Sequence, residues 1–184
     1  MTGPMVLVAR THLMAIEVYG ADEQSDVEVD LIALVALATS ALEAEGVRPP
    51  AEVSLLLVDE ATIAGLNERF MHKQGPTDVL SFPIEDEVAP SGRNPDSGTA
   101  GPGSLESDGH EPEVLLGDIV VCPAVASRNA IEHEVTTEAE LELLVVHGVL
   151  HLLGWDHMVD EEAERMEARE AQLLKRFGTA SGRR

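Results

Sequence analysis

Apolar positions recur along this chain in two rhythms, and the switches between them mark out its elements. Met14-Ala15-Ile16-Glu17-Val18 alternates as a strand does. Asp26 to Glu45 instead carries Val29, Ile32, Leu34, Val35 and Leu42 at helical spacing, and Gly46 stands where such a helix stops. Val53-Ser54-Leu55-Leu56-Leu57-Val58 reads as a compact strand, and Asp59 after it is a good N-cap for a helix running through Phe70. Strands at 78–82 and 114–121 flank a long insertion and are free to meet as a hairpin across it. Pro123 suits the first turn of a helix to about Glu132. Thr136 or Thr137 then caps an apolar helix, with Glu140 three residues after Thr137 resembling a capping box. A last helix is expected from about Val159 to Phe177. The sum is an α+β fold in one compact domain, a small mixed sheet packed by about five helices.

Composition sharpens this picture at its edges. At 184 residues the chain is long enough for one domain with its own core. Residues 1–13 fit none of the elements and are expected to be a disordered extension, with 14–177 the folded domain and 178–184 a tail. The stretch at about 88–112 is dense in Gly, Pro, Ser and acidic residues, so it is expected to be a flexible loop. The single cysteine, Cys122, lies in an apolar run, which excludes an internal disulfide and a Cys-rich zinc site and suits a buried thiol. No apolar run reaches the roughly 20 residues of a membrane helix, and Met5-Val6-Leu7-Val8-Ala9 is too short and lacks a basic leader for a signal peptide. A cytoplasmic protein without a membrane partner is expected. The formal net charge is −22, with 12 Lys and Arg against 34 Asp and Glu, which argues against tight unaided binding to a phosphate backbone. The acidic residues crowd 85–113 and Asp160-Glu161-Glu162, away from Arg69, Lys73 and Arg128. A local basic cleft remains open to the chain, as does delivery of a nucleic-acid substrate by a partner.

The chemistry gathers where the capped apolar helix ends, in His147-Gly148-Val149-Leu150-His151-Leu152-Leu153-Gly154-Trp155-Asp156-His157. Helical geometry puts His147 and His151 one turn apart on one face, where both imidazoles can close on a single ion. Gly154 can end the helix in the left-handed conformation and let His157 swing round with a third nitrogen. Three neutral imidazoles at about 2.0–2.1 Å leave the fourth position of a tetrahedral zinc open, the mark of a catalytic rather than a structural site. One bound ion at the end of a central helix is therefore expected; imidazole suits zinc, nickel, copper and iron alike. The spacing H-x-x-x-H-x-x-G-x-x-H also matches the metzincin peptidases, but Gly148 stands where those carry the glutamate base. A peptidase would lack its proton acceptor, which favours a different hydrolysis. The base itself stays unassigned. Asp156 suits holding a histidine tautomer better than direct proton transfer, and Ser81 and Arg128 are candidate phosphate contacts. Asp78 and Asp118 read equally well as turn or strand-end residues. His72 and His133 fall near helix C-termini, where a structural role is the default, and His12 and His110 fall in the leader and the insertion. Trp155 suits the core beside the turn more readily than a stacking surface for a base.

The same histidine run resembles the signature of the YbeY family of bacterial metal-dependent endoribonucleases. Gly75-Pro76-Thr77-Asp78-Val79-Leu80-Ser81-Phe82-Pro83 resembles that family's Pro-Thr-Asp-Val-Leu-Ser-Phe-Pro segment, after a helix containing Leu66 and Asn67. Leu116-Gly117-Asp118-Ile119-Val120-Val121 resembles its Gly-Asp-Ile strand. The blocks come in the family's order over roughly residues 14 to 177. The resemblance implies a zinc-dependent, single-strand-specific endoribonuclease acting in small-subunit ribosomal RNA 3′-end maturation and ribosome quality control. It implies His147, His151 and His157 as metal ligands, and ribosomal RNA, a small-subunit ribosomal protein and an assembly GTPase as partners. One position departs from the pattern: Met71 follows Phe70 where the family often carries an arginine implicated in RNA cleavage. Arg69 and Lys73 are the nearby substitutes, although neighbours on a helix point elsewhere. Two rival readings follow, a metal-stabilised ribosome assembly factor with weak or no nuclease activity and, less favoured, a metallopeptidase without its glutamate.

Overall fold

A computed structural model describes residues 15–84, 114–155 and 160–179. The expectations for the 1–13 extension, the 88–112 insertion, Asp156 and His157 lie outside the described residues.

The strict alternation of burial in Ala51–Leu57 (β2) shows how the sequence builds the sheet: Ala51, Val53, Leu55 and Leu57 turn to one face and are fully buried there. β2 lies between Ile16–Asp22 (β1) and Val114–Val121 (β4), parallel to both, and Val79–Pro83 (β3) closes the far edge antiparallel to β4. The strands on either side of the insertion do pair, and the sheet is mixed, in the order β1-β2-β4-β3. Leu31–Ala44 (α1), Thr137–Leu152 (α4) and Asp160–Phe177 (α5) cover the face that carries Val53, Leu55, Leu57, Ile119 and Val121 and form the main core. A smaller core on the other face joins Leu80, Val120 and the buried thiol of Cys122 to Ile63 of Glu60–Leu66 (α2) and Val125 of Pro123–Glu132 (α3).

Three local expectations need correction. α1 begins at Leu31 rather than Asp26, because Gln24 holds the preceding chain outside the helix: its side-chain oxygen accepts from Asp26 N–H (2.8 Å) and Val27 N–H (3.0 Å), while its amide donates to Val27 C=O (2.9 Å). Asp30 then caps the helix by accepting from Ala33 N–H at 3.0 Å. The helix after Asp59 does not run as α-helix to Phe70. It widens after Leu66 into a π turn, Asn67–Met71, which ends on left-handed His72 at φ 56°. On α4 the cap is Thr136, whose hydroxyl accepts from Ala139 N–H at 3.2 Å. That places Glu140 one position too late for a capping box, and its buried carboxylate instead meets His133 Nδ1 at 3.0 Å.

Candidate metal centre

α4 approaches the sheet so closely that only glycine fits at its contact with β4. A Cβ on Gly148 would lie 2.7 Å from Ile119 Cγ2 and 3.3 Å from Ser81 Oγ, so no larger side chain enters unless the Ile119 side chain gives way. The same helix carries His147 and His151, both partly buried, on one face. Their Nε2 atoms lie 3.0 Å apart, with the ring centroids separated by 4.5 Å and the planes crossed at 83°.

The opposite nitrogens determine what this approach means. His151 Nδ1 is 3.0 Å from the carbonyl oxygen of Trp155, which can only accept, so Nδ1 carries the proton. His147 Nδ1 is 2.8 Å from Glu170 Oε1 on α5, and an ionised carboxylate likewise only accepts. In the neutral rings both Nε2 atoms then present lone pairs toward each other. Two lone pairs at this distance repel unless a positive charge, a shared proton or a cation, lies with them. Two ligands at about 2.0–2.1 Å from one tetrahedral ion would lie roughly 3.3 Å apart. The donor set therefore fits an imidazole-binding metal ion.

The turn after His151 forms as expected. Gly154 is left-handed at φ 83°, its N–H donates to His151 C=O (3.0 Å), and Trp155 N–H returns to Leu150 C=O (3.0 Å). This turn aims the Trp155 carbonyl at His151. Among the described residues, no group of three or more His, Cys, Asp or Glu side chains gathers as a metal cluster. Beside the turn, Leu153, Gly154, Trp155, Glu162 and Arg165 line a cleft of about 220 Å³. Trp155 itself is half-buried and packs on the main core.

Against known proteins, the model of the family described as Endoribonuclease YbeY matches residues 19–178. The chain belongs to the YbeY family of endoribonucleases. An Endoribonuclease YbeY of Salinispora tropica is 45% identical over 160 residues, covering 87% of this chain and 96% of that protein. One from Acidothermus cellulolyticus is 47% identical over 152 residues, with 82% and 85% covered. A solution structure of a Thermotoga maritima protein aligns with a TM-score of 0.49 at 25% identity, covering 88% of this chain and 91% of that one.

The Gly75–Pro83 block that resembles YbeY, with the helix before it, proves to be scaffolding around the histidine helix. Asn67 is buried, and its amide donates to Gly75 C=O at 2.9 Å, which ties the π turn to the segment entering β3. Asp78 accepts from Val79 N–H (2.9 Å), Thr77 Oγ1 (3.1 Å) and Asn129 Nδ2 (3.0 Å), joining that segment to α3. Asp78 is thus a structural turn residue. Ser81 donates a long hydrogen bond, 3.4 Å, to Gly148 C=O, so it braces the backbone between the two histidines. Arg128 makes a two-pronged ion pair with Glu60 (2.6 and 3.0 Å), which clips α3 to α2. Arg69 is exposed and stacks its guanidinium 5.0 Å from the ring centroid of Phe70, while Lys73 is exposed with its backbone N–H on Asn67 C=O at 3.3 Å. His72 and His133 both occupy helix C-caps, as expected. The contact missed from sequence is Glu170. Its signal was present as an acid in the apolar stripe Met166, Glu170, Leu173, Phe177 of an otherwise amphipathic helix.

Proposed function

We propose that this chain is a zinc-dependent endoribonuclease that cuts single-stranded RNA in the cytoplasm, within small-subunit ribosomal RNA 3′-end maturation and ribosome quality control. A small-subunit ribosomal protein and an assembly GTPase are its proposed partners. The observation that supports the zinc is the convergence of two imidazoles, Nε2 to Nε2 at 3.0 Å, and His157, two residues after Trp155 in the sequence, is the proposed third ligand. Membership of a family of endoribonucleases carries the RNA. A divalent ion bound there supplies Lewis acidity toward a phosphoryl oxygen and acidifies water. The chain's own part is orientation: Trp155 C=O and Glu170 hold protons on the two Nδ1 atoms, and Ser81 and Ile119 fix the height of the helix between the ligands. A peptidase mechanism is disfavoured by packing as well as by residue type, since the position after the first histidine has no room for a Cβ, let alone a glutamate.

The test is cleavage of a ribosomal RNA 3′-end precursor by the purified chain with stoichiometric zinc, after chelation, and by a folded His151→Ala variant. Zinc-dependent cleavage that disappears on chelation and in the variant is the expected result. Met71, 40% exposed at the position of the family's arginine, and the net charge of −22 favour the second reading, an assembly factor in which the metal serves the fold. Absence of cleavage by a folded, zinc-loaded protein, with unfolding on chelation, would establish that reading instead.

A further inference from the structure

The two histidines owe their orientation to partners of different kinds. His151 is held by a backbone carbonyl four residues on, in the turn that ends its own helix. His147 is held by a buried carboxylate 23 residues away on another helix. Glu170 is only 8% exposed, and α5 is placed by further polar clips. Arg169 donates to Glu45 Oε1 and to Ala44 C=O at the end of α1, and both N–H and Oγ1 of Thr179 donate at 2.7 Å to buried Glu142 on α4. A buried carboxylate costs free energy unless it is paired and hydrogen-bonded, and His147 is the partner that Glu170 has. Position 170 falls between Met166 and Leu173, both 2% exposed, where an apolar side chain would complete the stripe.

We propose that Glu170 is the positioning residue of the centre: it locks His147 with the proton on Nδ1 and turns Nε2 toward His151, so that α5 governs how tightly the ion is held. This rests on the metal reading above. An imidazole that donates to a carboxylate is a more basic ligand than one bonded to a neutral carbonyl, and its ring cannot flip without losing a charge-assisted bond. Removing such a partner typically weakens metal binding about 10–100-fold.

The variants are Glu170→Met, which keeps the volume without an acceptor, and Glu170→Gln, which keeps an uncharged acceptor. Long-range 1H–15N spectra of the imidazoles in metal-free protein report which nitrogen of His147 is protonated, and competition with a chromogenic chelator gives the zinc dissociation constant. In wild type the proton is expected on Nδ1; in E170M it redistributes and zinc binding weakens about 10–100-fold, with E170Q between the two. The thermal midpoint of metal-free E170M should stay near wild type, and only its gain on adding zinc should shrink; should E170M not fold, E170Q carries the comparison. An unchanged tautomer, or zinc affinity equal to wild type in the variant that folds, overturns the proposal. A wild type that binds no zinc while its tautomer still follows Glu170 would overturn the metal reading and leave the positioning role standing.

Discussion

The position after the first histidine shows how one atom constrains a site. Gly148 lets α4 rest against Ile119, and a closer helix brings the face that carries the two histidines to a fixed height above β3 and β4. An added Cβ would press on the Ile119 side chain at 2.7 Å and overpack the contact that sets this height. At the start of the same helix, His133 caps α3 and meets the buried carboxylate of Glu140. That carboxylate raises the His133 pKa above its ordinary 6.5. The protonated pair therefore adds stability that is fully present below pH 6.5 and fades as the pH rises through the folded-state value. The difference in thermal midpoint between wild type and His133→Gln should be largest below pH 6.5 and shrink toward pH 9; a difference that grows with pH would contradict the assignment.

Among the elements, α5 has the most consequential docking, because its contacts reach α1, α4 and a histidine at once. Thr179→Ala removes a hydroxyl donor from the buried Glu142 carboxylate and should cost about 1–2 kcal/mol in chemical denaturation. Faster amide exchange should be confined to the last turns of α5. What sequence revealed about the elements follows the range of the interactions that set them. Asp59 as a cap, Pro123 at a first turn and Gly154 as a stop act within four residues, and each is where its local chemistry puts it. The histidine pair was legible for the same reason, a spacing of one helical turn. The start of α1 was not, because Gln24 competes for the backbone of 26–27, and neither was the π turn, whose Asn67 is bonded to Gly75 across a loop. Glu170 was least legible: its partner lies 23 residues away, and only the tertiary packing of α5 brings them together.

For the molecule as a whole, charge is the dominant fact, with 34 acidic against 12 basic side chains. Self-repulsion on this scale opposes the compact state and is relieved by screening, whose length falls from about 30 Å at 0.01 M salt to about 3 Å at 1 M. Thermal midpoints of the metal-free chain should therefore rise with added sodium chloride; a flat response would mean that the acidic residues lie too far apart to couple. Among the described residues, no helix is long and apolar enough to cross a membrane. The reach of Glu170 back to His147 also has a temporal side. Ribosomes make β1 through α4 before α5, so a growing chain already contains the histidine pair while the carboxylate that orients it has yet to be joined. Until α5 has been made and has docked, the nascent protein carries both imidazoles without the carboxylate that meets one of them, so the arrangement of the pair is completed only by the last helix.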